Sequence, residues 1–199
     1  VDSNNTNYQS INGVLLNKEG TKLIQYPIGN KTTSYTISEN VTTIKENSFY
    51  GSLYLEEITI TNKVEMFSYN PFIYGKKLKK FIIDDSHPNF KTINGILFNK
   101  VGKELLCYPM NKEETYYFIN ENVMMIGNDA FTGNLNLKSI IIPDNVISLK
   151  ESAISNMNEL TTVLYEIRIT LSLTCRTDPF TNNTKLTQII VRQDVDVPS

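Results

Sequence analysis

The chain holds one histidine, and it sits among acids in the string Asp84-Asp85-Ser86-His87-Pro88. Two carboxylates and an imidazole within four residues could serve general acid–base catalysis or hold a metal ion. The same string also reads as a polar turn leading out of a strand, and that reading is preferred. A zinc centre wants three or four protein ligands, and no second histidine completes the set. No glycine-rich phosphate loop, Gly-x-Ser-x-Gly elbow or Cys/His nucleophile pair is visible. The residues therefore predict no enzyme, no cofactor and no metal. Cys107 and Cys175 add little. Cys175 falls in a slot filled elsewhere by Ile44, Phe67, Ile126 and Leu149, which predicts a buried thiol. Cys107 falls where Gln25 stands, on a separate turn of the chain, so a disulfide between the two is not expected. The Asn-x-Ser/Thr sites at Asn4, Asn30, Asn40 and Asn182 occur at the chance frequency of a chain rich in Asn, Ser and Thr.

What must position any functional residue is a repeat. The chain matches itself without a gap when its first half is laid over its second, an 82-residue internal duplication. Ile11-Asn12-Gly13 falls on Ile93-Asn94-Gly95, Tyr26-Pro27 on Tyr108-Pro109, Phe49 on Phe131 and Ile60 on Ile142. Within each long unit a 23-residue register runs: Val41, Ile44, Phe49, Leu55, Ile58 and Ile60 recur as Val64, Phe67, Phe72, Leu78, Phe81 and Ile83. A period in the twenties signals a stack of identical supersecondary turns that bury one continuous core. The expected architecture is a leucine-rich repeat solenoid, α/β in class but strand-rich, whose turns form a curved parallel sheet. Strand ends are expected at Ile37, Ile60, Ile83, Ile119, Ile142, Tyr165 and Val191. The step from Ile83 to Ile119 is longer. It contains two apolar runs around Gly102, and the same pattern surrounds Gly20, so residues 13–27 and 95–109 are expected to be two matching β-hairpins. Asn47-Ser48-Phe49 and Asn128-Asp129-Ala130-Phe131 suggest a single helical or 3₁₀ turn with Asn as N-cap. Asn70-Pro71-Phe72 and Asp178-Pro179-Phe180 suggest the same with proline inside the turn. One phenylalanine per turn plugs the space between the walls.

The whole of 1–199 is read as one solenoid, its long units spanning about 7–88 and 89–191. Val1 aligns with Ile83, mid-pattern, which suggests a piece of a longer array.

The strings Ile126-Gly127-x-x-Ala130-Phe131-x-Gly133-x-x-x-Leu137 and Leu137-x-x-Ile140-x-Ile142-Pro143-Asp144-x-Val146 resemble the BspA-like leucine-rich repeat family. Ile93-Asn94-Gly95-Ile96-Leu97-Phe98-Asn99-Lys100, followed by Leu105-Leu106-Cys107-Tyr108-Pro109, resembles a hairpin element that recurs within it. Ser52 and Asn134 stand where that family usually has Cys, and residues 164–179 form an irregular rung. The resemblance implies a curved solenoid, commonly on the surface of a bacterium or parasitic protist, adhering to host proteins or cells.

A net charge of −2 without blocks of like charge argues against nucleic acid as a partner. No 18-residue apolar run offers membrane insertion. The positive signal is a column. If Ile58 and Ile60 point inward, Thr59 points out, and its equivalents rung by rung are Thr36, Thr59, Ile82, Phe118, Ile141, Leu164 and Ile190. The last five would make an apolar stripe roughly 20 Å long with a polar rim, the composition of a protein-binding patch. A surface or secreted module binding a host or matrix protein through Ile82, Phe118, Ile141, Leu164 and Ile190 is the functional expectation. An intracellular repeat scaffold is the alternative that composition equally allows.

Overall fold

In the computed structural model, which describes residues 1–67, 69–167, 174–175 and 178–193, strands alternate with tight turns and no helix occurs among the described residues. The first unit contains β1 (Tyr8–Ile11), β2 (Val14–Asn17), β3 (Lys22–Gln25), β4 (Ser34–Thr36), β5 (Thr43–Ile44), β6 (Glu57–Ile60), β7 (Met66–Phe67) and β8 (Lys80–Ile83). The second contains β9 (Phe90–Ile93), β10 (Ile96–Asn99), β11 (Glu104–Cys107), β12 (Tyr116–Phe118), β13 (Met125–Ile126), β14 (Ser139–Ile142), β15 (Ser148–Leu149) and β16 (Thr162–Ile167). Each of these eight begins at the residue that the duplication aligns with the start of its counterpart in the first unit. Two further strands follow, β17 (Thr174–Cys175) and β18 (Gln188–Gln193).

Of the seven expected strand ends, Ile60, Ile83 and Ile142 close their strands, while β16 and β18 run two residues beyond Tyr165 and Val191. β4 and β12 stop one residue short, yet Ile37 N still donates to Thr59 O at 3.0 Å and Ile119 N to Ile141 O at 3.0 Å. The single parallel sheet needs correcting. The ladder is split into β4-β6-β8 and β12-β14-β16-β18, so Ile60 and Ile83 share one sheet and Ile142 lies in the next. The opposite wall is divided likewise, into β1-β2-β3-β5-β7 and β9-β10-β11-β13-β15-β17. The break has a physical cause. Phe81 N on β8 donates to Gly95 O at 2.9 Å, so the Asn94-Gly95 turn leading into the inserted hairpin, rather than β12, meets the edge of β8.

Both hairpins form, β2 against β3 and β10 against β11, and each shifts register at the equivalent place, Leu15/Leu16 and Leu97/Phe98. Their turns place Gly20 and Gly102 at φ 73° and 78°, where a side chain would be strained. Each then runs in parallel into the wall, β3 onto β5 and β11 onto β13. The sequence reading missed a third strand on each: β1 pairs with β2 and β9 with β10, both antiparallel, making three-stranded meanders. The signal was present. Asn12-Gly13 and Asn94-Gly95 have both residues at positive φ, the two-residue hairpin turn that Asn-Gly favours.

The helical turns expected around Phe49, Phe72, Phe131 and Phe180 are also corrected. Asn47 and Asp129 take φ of 58° and 52°, outside the right-handed helical region. Alternate amides of these turns bond sideways to the next rung: Phe49 N to Pro71 O, Gly51 N to Ile73 O, Phe131 N to Ala153 O, and Ile154 N to Pro179 O. Those between them close tight turns three residues back, Tyr50 N on Asn47 O and Thr132 N on Asp129 O. Inter-rung bonds thus satisfy backbone groups that a helix would satisfy internally. The capping side chains do act, since Asn70 Oδ1 accepts from Phe72 N at 3.0 Å and Asp178 Oδ1 from Phe180 N at 2.9 Å, each two residues on.

The core forms two clusters, one per unit, and the second hairpin feeds both. Leu97 and Cys107 pack into the first cluster, while Ile96, Phe98, Leu105 and Tyr108 pack into the second. Alternate residues of one strand pair thus face opposite cores, making the hairpin a partition.

Candidate functional site

His87 and Asp84 are turned to different partners. His87 is fully buried, with Nδ1 accepting the amides of Asn89 (3.1 Å) and Phe90 (3.2 Å) and Nε2 directed at Thr61 O (3.1 Å). Accepting at Nδ1 leaves the proton on Nε2 for Thr61 O, so the ring is a neutral staple with both nitrogens engaged by backbone. Asp84 turns to Ser86, receiving both its amide and its hydroxyl. Among the described residues no three His, Cys, Asp or Glu side chains gather as metal ligands.

Cys107 is free and buried, and burial pushes its thiol up to about 12, far from a reactive thiolate. β11 and β17 are separated by β13 and β15 in their sheet. Three strand spacings of about 4.8 Å place Cys107 and Cys175 well beyond the roughly 7 Å that a disulfide spans. The burial of the Cys175 side chain, and the irregular rung across 168–173 and 176–177, lie outside the described residues.

The outward column is built as the alternation requires, but in two pieces. Thr36, Thr59 and Ile82 are in register on β4-β6-β8. Phe118, Ile141, Leu164 and Ile190 are in register on β12-β14-β16-β18. Ile82 therefore does not continue the stripe, because the Asn94–Gly95 turn stands at the edge of its strand. Its own face is polar, carrying the Lys80–Glu57 pair at 2.8 Å. Four residues remain together. Phe118 is 42% exposed and Ile190 43%, while Ile141 and Leu164 are half-buried between them.

The inward residues Ile140, Ile142 and Val163 are buried beneath this column. At β18, the edge strand, the inward positions Ile189 and Val191 are exposed as well, so accessibility there distinguishes the faces less. The far end of the column is more telling. Tyr116, missed in the sequence reading, lies two residues from Phe118, opposite Ser139, and is 69% exposed. Counting two residues back along the strand would have found it. The two aromatics stand side by side on the edge strand of this sheet.

The stack of repeating turns, with its duplicated hairpins, defines a leucine-rich repeat solenoid. The chain belongs to the BspA type leucine rich repeat family, whose model matches residues 7–105 and 107–197 in six copies. No curated protein matches the sequence. Among solved structures, a leucine-rich repeat protein from Eubacterium ventriosum ATCC 27560 is similar, with a TM-score of 0.55 and 17% identity over 80% of this chain and 60% of that one. A leucine rich cell surface protein from Faecalibacterium prausnitzii A2-165 gives 0.52 and 17% over 79% and 59%. The pneumococcal vaccine antigen PcpA gives 0.50 and 18% over 80% and 51%. At such identities the likeness shows the fold, and the chain spans between half and three fifths of these proteins' lengths. No helix among the described residues is long and apolar enough to cross a membrane.

Proposed function

We propose that the chain is a non-enzymatic protein-binding module of a surface or secreted adhesion-type protein, contacting a host or matrix protein through the face of β12-β14-β16-β18. The observation that carries this reading is the in-register column Phe118, Ile141, Leu164 and Ile190, with Tyr116 exposed beside it. Aromatic anchors within an apolar patch dominate protein interfaces, and the rim here is polar: Ser139, Thr162 and Gln188 on one side, Glu166 and Arg192 on the other. Two of the similar solved structures are named as a cell surface protein and a vaccine antigen, which supports an external location. The test is capture of matrix and host-cell surface proteins by the immobilised chain, repeated with Phe118→Ser and Tyr116→Ser. Loss of the same captured protein in both stable variants supports the reading; full retention in both overturns it.

A further inference from the structure

The short-strand walls of the two units end differently. In the second unit β15 receives a further parallel strand: Ser148 lies opposite Thr174 and Leu149 opposite Cys175. Its counterpart in the first unit, β7, pairs with β5 on one side and is the edge strand on the other. Met66 on that edge is 55% exposed. Beside it, where the first wall gives way to the second hairpin, lies a cavity of about 300 Å³, the lower end of the range for ligand pockets. Its apolar lining comes from Phe67, Phe72, Phe90 and Leu106, the Phe67 and Phe90 rings being 4.4 Å apart between centroids. Its polar lining includes Glu104, which is neutralised by Lys150 at 2.7 Å, and Glu65, which is exposed and has no cationic partner among the described residues.

We propose that this junction binds an extended segment of a partner protein, which pairs in parallel with β7 and inserts one bulky apolar side chain into the cavity. A lysine or arginine adjoining that side chain faces Glu65. Each feature of the occupant has its warrant. The parallel direction follows from β15, whose equivalent edge already accepts a parallel strand, and an open strand edge offers main-chain hydrogen bonds to any extended peptide. The bulky side chain follows from the aromatic lining, and the basic neighbour from the unbalanced carboxylate. This site lies on the opposite wall from Phe118, so the two proposals stand or fall separately.

The probe is a short fluorescein-labelled peptide with a central phenylalanine flanked by lysines, titrated by fluorescence anisotropy against the whole chain. Saturable binding is expected, with the backbone amide resonances of Met66 and Phe67 shifting. Glu65→Lys, an exposed change, and Leu106→Trp, which fills the cavity, should each weaken it about tenfold or more, equivalent to roughly 1.4 kcal/mol. Phe118→Ser should leave it within twofold. Should Leu106→Trp fail to fold, Glu65→Lys decides alone. Absence of saturable binding, or equal binding of a peptide with aspartates replacing the lysines, overturns the proposal. So does uptake of indole by the cavity without the peptide, or self-association that Glu65→Lys abolishes.

Discussion

Tyr108 and Phe131 stack with ring centroids 5.1 Å apart and planes inclined by 22°. Their counterparts in the first unit, Tyr26 and Phe49, stack at 5.3 Å and 23°. A third ring joins each pair, Tyr117 in one unit and Tyr35 in the other, at 4.9 and 5.0 Å from the first tyrosine. The duplication is therefore kept at the level of ring geometry. Each triad locks the exit of a hairpin to the first turn of the rungs that follow.

Phe131→Ala should cost roughly 3–5 kcal/mol, because the ring is fully buried and its removal leaves a cavity between the walls. Urea denaturation gives the value. A loss under about 1 kcal/mol would mean that the tyrosines close over the gap.

Phe118→Ser should behave oppositely, changing stability by no more than about 1 kcal/mol, since the ring is 42% exposed. If Phe118 anchors a partner, the same variant weakens that complex by roughly 2 kcal/mol or more. Comparing the denaturation midpoint with the dissociation constant separates the two effects.

Gly95→Ala should harm the fold more than Gly13→Ala, although both glycines occupy the same turn at φ of 78° and 83°. A methyl at Gly95 would come within 2.6 Å of Lys80 Cβ, whereas at Gly13 the nearest atom, Pro27 Cγ, stays 3.4 Å away. Both share the cost of positive φ, about 1 kcal/mol or more for a non-glycine residue. Only Gly95→Ala must also push the hairpin off β8. Equal midpoints for the two variants would refute this.

Burial holds the His87 imidazole below its ordinary pKa of 6.5, and a nearby lysine, Lys100, adds to the shift against the Thr61 carbonyl. The unfolded chain therefore binds the proton more readily than the native one. His87 contributes its full stability above pH 6.5 and loses it as pH falls below that value. Thermal melts from about pH 7.5 to about pH 5 should show a decline that His87→Gln reduces. An unchanged slope in that variant assigns the decline to other groups.

Repeat spacing located all seven rung strands, at 23 residues for four of the six steps and at longer steps before Ile119 and Val191, because each rung must return the same apolar residues to the same depth. The break between Ile83 and Tyr116 was not legible in this way. Spacing shows that the step there lengthens, but which strand edge the inserted hairpin meets depends on Phe81 reaching Gly95. The edge at Met66 was hidden for the same reason. The turns around Phe49 and Phe131 misled because Asn and Asp suit both a helix N-cap and a left-handed turn. The neighbouring rung, which takes up the free amides, decides between them.

The two-faced hairpin has a consequence for how such an array grows. Leu97 and Cys107 seal the core that precedes them while Ile96, Phe98 and Leu105 open the next. In the first unit the equivalent of the sealing face is Leu15 and Gln25, both half-buried, while Val14, Leu16 and Leu23 are fully inside. Each copy of the long unit thus carries its own lid for whatever stands before it and its own foundation for what comes after. Adding or removing one such block should leave both neighbouring cores closed, so the length of an array can change without a new interface being built.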